Sequence, residues 1–210
     1  MCGRFSILNN KSSLVKHFAL TDSEDFNNSY NVTPSDKIPV IRLGNGGRQL
    51  VNCQWGFIPH WAKDDKFKPI NARAETLMGK PFFRSAVKNN RCLVPASGFY
   101  EWKGQKGNKQ PWYFRLKEAE LFAFAGLWDH WEGQDIKIDS CTIITTNANA
   151  VMAPVHRRMP VILDPDQYDE WLVEGNKDIL SPYSGELICY PVSKKVNSPD
   201  SEGEELIRPI

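Results

Sequence analysis

The chain has 210 residues, of which 41% are hydrophobic and 11% aromatic, and its formal net charge is +1. This composition is typical of a globular protein and excludes a disordered chain, and the small net charge excludes nucleic-acid recognition by bulk charge alone. Five widely spaced cysteines without a CxxC pair disfavour a structural zinc site, and no apolar run reaches the length of a membrane span. We expect a single domain over residues 1–210 without a metal or a cofactor, located in the cytoplasm because a signal-peptide pattern is absent.

The first quarter of the chain predicts one helix and one hairpin. Asn10 is a suitable cap for a helix over residues 11–20, and the polar residues 22–30 predict a loop. Two strands are predicted at residues 37–43 and 48–55. The Gly-Asn-Gly-Gly turn that joins them is a strong hairpin signal.

Short strands dominate the rest of the chain. Residues 72–78, 82–89 and 164–173 predict helices, the last with Asp164 as its cap. Alternating or apolar runs predict strands at residues 3–8, 91–94, 98–102, 111–116, 121–128, 139–146, 159–163 and 186–192. Because long helices do not separate these strands, a doubly wound α/β fold is disfavoured. The prediction is an α+β fold built on a curved, mostly antiparallel, barrel-like sheet with short peripheral helices.

The first residues permit unusual chemistry. Cys2 follows Met1 directly, and removal of Met1 would leave a free amine and a thiol on one residue. The amine can form an imine with an aldehyde, and the thiol can then close a five-membered thiazolidine in an intramolecular step. Gly3 has no side chain that could crowd the backbone next to the nucleophile, and Arg4 supplies a cation that could bind a phosphate. The alternative is that the chain begins Met-Cys by chance.

Two internal stretches carry candidate polar groups. Asn71 and Arg73 follow a proline-bearing loop, where the amide could hold a sugar oxygen or an oxyanion. The alternative is a helix N-cap at Asn71 with solvated neighbours. Glu101 lies between two bulky aromatic residues; pointing inward it would suit proton transfer, whereas the alternation of a strand equally permits it to face water.

His156 precedes two arginines and a predicted strand. Imidazole side chains titrate near neutral pH, which suits an acid/base, and Arg157 or Arg158 could bind phosphate. The alternative is a structural histidine.

Trp61 belongs to a stretch, residues 55–63, that interleaves aromatic and basic residues, as in proteins that stack unpaired bases. The alternative there is an ordinary aromatic core.

These stretches together resemble the SOS response-associated peptidase family, whose members shield abasic sites in single-stranded DNA. The resemblance extends over nearly the whole chain and rests on Cys2-Gly3-Arg4-Phe5, Tyr30-Asn31-Val32-Thr33-Pro34, Trp55-Gly56-Phe57-Ile58-Pro59, Ile70-Asn71-Ala72-Arg73, Gly98-Phe99-Tyr100-Glu101-Trp102, Ala125-Gly126-Leu127-Trp128, His156-Arg157-Arg158-Met159-Pro160 and Glu205-Leu206-Ile207-Arg208-Pro209. One departure is Arg157, where the family often has an acidic residue.

The resemblance implies a role for each matching residue. Cys2 would be the nucleophile that bonds to the abasic sugar, and Asn71 would position the opened sugar. Glu101 would orient the amine and transfer protons, and His156 would help to open the ring. The resemblance also implies a shallow basic channel for single-stranded DNA, with contacts from Arg4, Trp61, Arg73 and Arg158. The family name implies a peptidase, and the interpretation closest to the chemistry is self-cleavage of Met1, with self-release as an alternative. We further expect a monomer that associates with the nucleoid when bound to DNA.

Two functions of other classes remain open. One is a general cysteine peptidase that uses Cys2 with His156 on protein substrates. The other is a noncovalent reader of modified bases in DNA. A free N-terminal amine disfavours the peptidase as the main role, because a protease nucleophile needs no such amine.

Overall fold

The structure is a computed structural model that describes residues 2–105, 107–133 and 135–210. The predicted removal of Met1 therefore concerns a residue outside the described part. In chain order the described strands are β1 (Phe5–Ile7), β2 (Leu20–Ser23), β3 (Ser29–Val32), β4 (Lys37–Gly44), β5 (Gly47–Trp55), β6 (Asn71–Arg73), β7 (Arg91–Ala96), β8 (Gly98–Lys103), β9 (Gln110–Leu116), β10 (Phe122–Glu132), β11 (Lys137–Asn147), β12 (Arg158–Pro160), β13 (Ile162–Leu163) and β14 (Leu187–Pro191).

The strands form two curved sheets. The first has the order β14-β9-β8-β1-β3, and the second runs β12-β11-β10-β7-β4-β5-β2, with β13 beside β10 and β6 beside β11. Most pairs are antiparallel, while β5 pairs in parallel with β2 and with β11, and β6 pairs in parallel with β11. The predicted fold class, α+β on a mostly antiparallel, barrel-like sheet with short helices, is confirmed. The extent of a single domain over residues 1–210 stays a prediction.

The helices are short and lie outside the sheets. They are α1 (Lys11–Phe18), α2 (Pro81–Asn89) and α3 (Gln167–Asp169), the last continued by a π-helical turn over Glu170–Glu174. Asn10 caps α1 as predicted, because its side chain accepts a hydrogen bond from the backbone N–H of Ser13 at 2.9 Å. No helix in the described part of the chain is long and apolar enough to span a membrane.

Three of the predicted features differ from the structure; strand pairing explains the first two, and a local hydrogen bond explains the third. Residues 22–30 are not all loop: they include the end of β2 and the start of β3, whose polar side chains gave no strand pattern. The helix over residues 72–78 is replaced by β6 and a 3-10 turn, because β6 pairs with β11. Asp164 does not cap α3; instead the side chain of Gln167 accepts a hydrogen bond from the backbone N–H of Asp164 at 3.0 Å.

Two hydrophobic clusters stabilise the fold. The larger one lies between the sheets and includes the fully buried rings of Trp55, Trp171 and Phe124. The smaller one consists of Tyr100, Tyr113, Val192, Val196 and Leu206. Since the last two of these residues belong to the C-terminal segment, the smaller cluster attaches that segment to the outer face of β8 and β9.

We expect Trp171→Ala to lower the free energy of unfolding by about 3–5 kcal/mol, the range for deleting a buried aromatic side chain. The indole of Trp171 is fully buried and donates a hydrogen bond to the carbonyl oxygen of Cys92 at 3.0 Å. Urea denaturation of the variant measures the change. Val173→Ala is the matched control, because Val173 lies in the same turn and is 57% exposed; its effect should stay within about 0.5 kcal/mol. Equal losses for the two variants would contradict this account.

Candidate active site at the N-terminus

The N-terminal residues lie along β8. Phe5 pairs with Phe99 in the antiparallel ladder between β1 and β8, and the backbone N–H of Tyr100 donates to the carbonyl oxygen of Arg4 at 3.0 Å. Continuing this register places Cys2 and Gly3 beside Glu101 and Trp102. The pairing therefore brings the first residues of the chain to the strand that carries the candidate carboxylate.

The thiol of Cys2 is fully buried and is held in its protonated form. Burial raises its pKa far above the ordinary value, and the charge of Glu101 raises it further. The thiol lies 3.9 Å from the carbonyl oxygen of Arg4, to which it is a weak donor. Because a thiolate is the nucleophilic form, reaction at this sulfur requires a neighbouring group that accepts its proton.

Glu101 points inward, which decides between the two orientations that the strand pattern permitted. Its side chain is 5% exposed. Strand β8 is buried on both faces, because Tyr100 on the opposite face packs into the smaller hydrophobic cluster. A carboxylate at this depth acts strongly on nearby charges and protons, since little water screens it.

His156 lies in the connection between β11 and β12, where its ring reaches Glu101. The Nδ1 atom of His156 is 4.0 Å from Oε1 of Glu101. The same nitrogen lies 3.0 Å from both the backbone nitrogen and the carbonyl oxygen of Arg158. It can therefore accept from the N–H when it is unprotonated and donate to the carbonyl when it is protonated. This environment accommodates both states of an acid/base.

Asn71 contacts the N-terminal residue of the site directly. Its Nδ2 atom donates to the carbonyl oxygen of Cys2 at 2.8 Å. Its buried Oδ1 atom has no hydrogen-bond partner among the described residues. The alternative role as a helix cap is wrong: Asn71 begins β6, and Arg73 is the residue that precedes the 3-10 turn over Ala74–Thr76. The amide oxygen is thus an acceptor available at the site.

The structure brings together Cys2, Asn71, Glu101 and His156, although they come from four separate parts of the chain. Two of the four, Cys2 and Glu101, are nearly inaccessible to solvent. A nucleophile, a hydrogen-bonding amide, a buried carboxylate and an imidazole in one place are the components of acid/base-assisted nucleophilic chemistry. Their individual roles stay predictions.

Arg4 is held by two partners of its own. One guanidinium nitrogen, Nη1, donates to Oδ1 of Asn31 at 2.6 Å and to the carbonyl oxygen of Val196 at 2.7 Å. Partial burial lowers the pKa of the guanidinium, and the group lies 5.9 Å from the centre of the Trp102 ring. Arg4 is therefore a preorganised cation next to the site.

The candidates Trp61 and Arg73 are exposed. Trp61 is 52% exposed and packs its ring edge on Phe82 at 5.9 Å. Phe67, which is 66% exposed, packs on the same ring at 5.3 Å. Arg73 lies at the end of β6, two residues after Asn71, and is also exposed. The sequence analysis did not predict a role for Phe67, because the residues on either side of it are polar and indicate an ordinary loop.

Arg158 is engaged inside the protein. Its guanidinium forms a two-point ion pair with Glu75, with distances of 2.5 and 2.9 Å, and donates to the carbonyl oxygen of Thr145 at 2.7 Å. This pair lowers the pKa of the Glu75 carboxyl. The predicted phosphate contact of Arg158 stays a prediction, and it would require the ion pair to open. Arg157, the departure from the family pattern, is exposed.

Asn31 is a further residue of the site whose role the sequence did not indicate. It is 2% exposed, and its Nδ2 atom donates to the carbonyl oxygens of Ser198 at 2.9 Å and Ser201 at 2.8 Å. It therefore connects Arg4 to the C-terminal segment. Its place in the Tyr30-Asn31-Val32-Thr33-Pro34 motif was the available signal, but only the long-range contacts give it a function.

Comparison with known proteins extends over the whole chain. A family model described as SOS response associated peptidase (SRAP) matches residues 1–199. The chain is 42% identical, over 223 aligned positions that cover 99% of both proteins, to the abasic site processing protein YoqW of Bacillus subtilis (strain 168). It is 26% identical to the abasic site processing protein YedK of Escherichia coli (strain K12), with all of both proteins covered. A crystal structure of a protein from Bacteroides thetaiotaomicron has a TM-score of 0.89 over both complete chains at 24% identity, which shows the fold alone.

Proposed function

This chain belongs to the SOS response-associated peptidase family, and we propose that it processes abasic sites in single-stranded DNA by forming a covalent bond between Cys2 and the abasic sugar. The observation that carries the proposal is the placement of Asn71, Glu101 and His156 around an N-terminal cysteine. Asn71 binds the backbone of Cys2 at 2.8 Å, and Glu101 lies 4.0 Å from His156. The full-length relatives YoqW and YedK are named abasic site processing proteins, which supports abasic sites as the substrate.

The proposed chemistry balances without an oxidant or a reductant. The free α-amine of Cys2 attacks the aldehyde carbon of the ring-opened abasic sugar, and the resulting adduct loses water to give an imine. The sulfur of Cys2 then bonds to the imine carbon, and the nitrogen takes up a proton, which closes the thiazolidine. Because the Cys2 thiol is protonated, the buried carboxylate of Glu101 is the natural acceptor of its proton.

The other two residues serve the substrate. The unpartnered Oδ1 atom of Asn71 is placed to accept a hydrogen bond from a sugar hydroxyl. His156 transfers protons when the sugar ring opens, since its Nδ1 atom is accommodated in both protonation states. Hydrolysis of the peptide bond after Met1 would be the maturation step that frees the amine.

The raised pKa of Cys2 weighs against a general cysteine peptidase. A thiolate–imidazole pair requires a lowered thiol pKa so that the nucleophile is ionised near neutral pH. In this site, burial and the charge of Glu101 instead raise the pKa of the Cys2 thiol. Initial attack by the amine on an aldehyde fits these electrostatics better, because the sulfur then reacts second and transfers its proton to Glu101 as it bonds to the imine carbon.

Intact mass spectrometry tests the proposal in one experiment. The purified protein should begin at Cys2, because the aminothiol requires a free amine. After incubation with a single-stranded oligonucleotide that contains one abasic site, we expect a second species at the summed mass less one water. The same oligonucleotide with an intact base at that position is the control. Active protein that retains Met1 would refute the mechanism.

We expect Arg73→Ala to weaken binding of single-stranded DNA to about the same degree for every sequence. Arg73 is exposed beside Asn71, and a phosphate contact carries no base information. The slope of log Kd against log salt should fall by about 0.7, the value for one phosphate contact on a single strand. Fluorescence anisotropy over a salt series measures both quantities. Lys117→Ala, which removes an exposed cation paired with Glu186, is the control; equal slopes for the two variants would contradict a contact from Arg73.

A further inference from the structure

One ion pair connects the two elements that position Asn71 and His156. Asn71 begins β6, and His156 lies just before β12. Strand β11 runs between them: Thr145 is paired with Arg73 on one side and with Pro160 on the other. The positions of Asn71 and His156 therefore depend on two different strand pairings, and a contact over β11 is needed to fix one relative to the other.

Glu75 and Arg158 form this ion pair over the end of β11. Glu75 lies in the 3-10 turn that follows β6, and Arg158 is the first residue of β12. The guanidinium donates to both carboxylate oxygens of Glu75, at 2.5 and 2.9 Å. It also donates to the carbonyl oxygen of Thr145 at 2.7 Å and to Oδ1 of Asn147 at 3.0 Å. Among the described residues, Glu75 is the one ion-pair partner of this cation.

The backbone of Arg158 in turn holds the ring of His156. The Nδ1 atom of His156 lies 3.0 Å from both the backbone nitrogen and the carbonyl oxygen of Arg158. Strand β12 has only three residues, and its first residue is paired with Asn147 at the end of β11. The end of so short a strand opens easily unless other contacts restrain it. The side-chain contacts of Arg158 therefore stabilise the backbone that orients the imidazole.

We propose that Glu75 is a positioning residue for His156, which acts through Arg158 to keep the imidazole in the orientation that proton transfer to the opening sugar requires. This inference rests on the proposed function. In the described part of the chain, the carboxylate of Glu75 forms no hydrogen bond with Cys2, Asn71, Glu101 or His156. Its effect on the reaction must therefore pass through the guanidinium that it binds.

The exposure of the two partners distinguishes positioning from general stabilisation. The side chain of Glu75 is 43% exposed, and ion pairs with an exposed partner add little to global stability. The side chain of Arg158 is only 9% exposed, so loss of the carboxylate leaves a buried cation without its counter charge. We expect this cation to move toward water and to shift the Arg158 backbone, which changes its contact with His156.

Glu75→Gln removes the charge and keeps the size of the side chain. At saturating abasic single-stranded DNA, the single-turnover rate of adduct formation should fall by about tenfold or more, as for other small displacements of a reacting group. The Kd for DNA with a stable abasic analogue should not rise, because loss of a negative charge beside Arg158 does not weaken attraction to phosphates. Glu186→Gln is the matched control: it breaks an exposed ion pair, with Lys117, and should leave both quantities unchanged.

The ring nitrogens of His156 report its position without DNA. Long-range proton–nitrogen NMR spectra give the chemical shifts of both ring nitrogens of every histidine. In Glu75→Gln, we expect the His156 signals to move toward those of a free imidazole, while the signals of the other three histidines stay in place. A general loss of stability would not confine the change to one histidine. The same spectra, with thermal unfolding, verify that each variant is folded.

A double variant tests whether Glu75 acts through the imidazole. In a His156→Ala background, Glu75→Gln should cause no further loss of rate, because the residue that it positions is absent. A further tenfold loss there would overturn the proposal. So would a Glu75→Gln rate within about twofold of the wild type or above it, a rise in Kd, or His156 signals that do not move.

The spectra also separate this inference from the proposed function. A wild type that forms no adduct with abasic DNA, together with displaced His156 signals in Glu75→Gln, would reject the proposed chemistry and keep the control of the imidazole by Glu75. Normal adduct formation by the wild type, together with a Glu75→Gln variant that equals it in rate and in spectra, would do the reverse.

Discussion

Replacing Cys2 with alanine should abolish the adduct with abasic single-stranded DNA that survives denaturation. The physical reason is ring closure: a simple imine hydrolyses, whereas addition of the Cys2 sulfur converts it into a thiazolidine that resists water. A denaturing gel of the wild type and the variant measures the yield of adduct. Cys189→Ala is the matched control, because Cys189 is a free thiol on β14, outside the candidate site; it should leave the yield unchanged.

Cys2→Ser distinguishes the two bonds that Cys2 is proposed to form. The serine variant keeps the α-amine, so an imine can still form and borohydride should trap it. Without reductant, its stable adduct should be lost as in the alanine variant. If Cys2→Ala gave the same yield of stable adduct as the wild type, the aminothiol would be incidental, and the noncovalent reader of modified bases would become the leading interpretation.

Glu101→Gln should slow adduct formation by about a hundredfold or more at neutral pH, the usual contribution of a general acid/base. The substitution keeps the size of the side chain but removes the group that accepts the thiol proton. The single-turnover rate at saturating DNA isolates this effect from binding. Glu132→Gln is the control, since Glu132 is exposed on β10. A rate within about twofold of the wild type would contradict a proton-transfer role for Glu101.

The pH dependence of the same variant supplies a second readout. In the wild type, burial and the charge of Glu101 both raise the pKa of the Cys2 thiol. Removing that charge lowers the thiol pKa, so the thiolate becomes populated at a lower pH than in the wild type. The single-turnover rate of Glu101→Gln should therefore approach that of the wild type as the pH rises from about 6 to about 9. A merely structural defect would not be relieved by raising the pH.

Much of the fold was predictable because its signals are local. The hairpin of β4 and β5 follows from the glycine-rich turn between two alternating runs, and α1 follows from its cap at Asn10. The polar edge strands β2 and β3 were not predictable in this way. Their backbones are ordered by pairing with β5 and β1, which lie elsewhere in the sequence, and their side chains carry no alternation.

The sequence by itself determined the chemical groups of the candidate site, because residue types and their order along the chain are sufficient to indicate an aminothiol, an amide, a carboxylate and an imidazole. Only the tertiary structure decided how these groups are used. Glu101 points inward because β8 is packed on both of its faces. The Arg158 guanidinium is buried because it forms an ion pair with Glu75. Docking of the C-terminal turn made Lys194 a neighbour of Arg4. Each of these outcomes depends on contacts between residues far apart in the chain, and no local pattern encodes which partners the folded chain brings together.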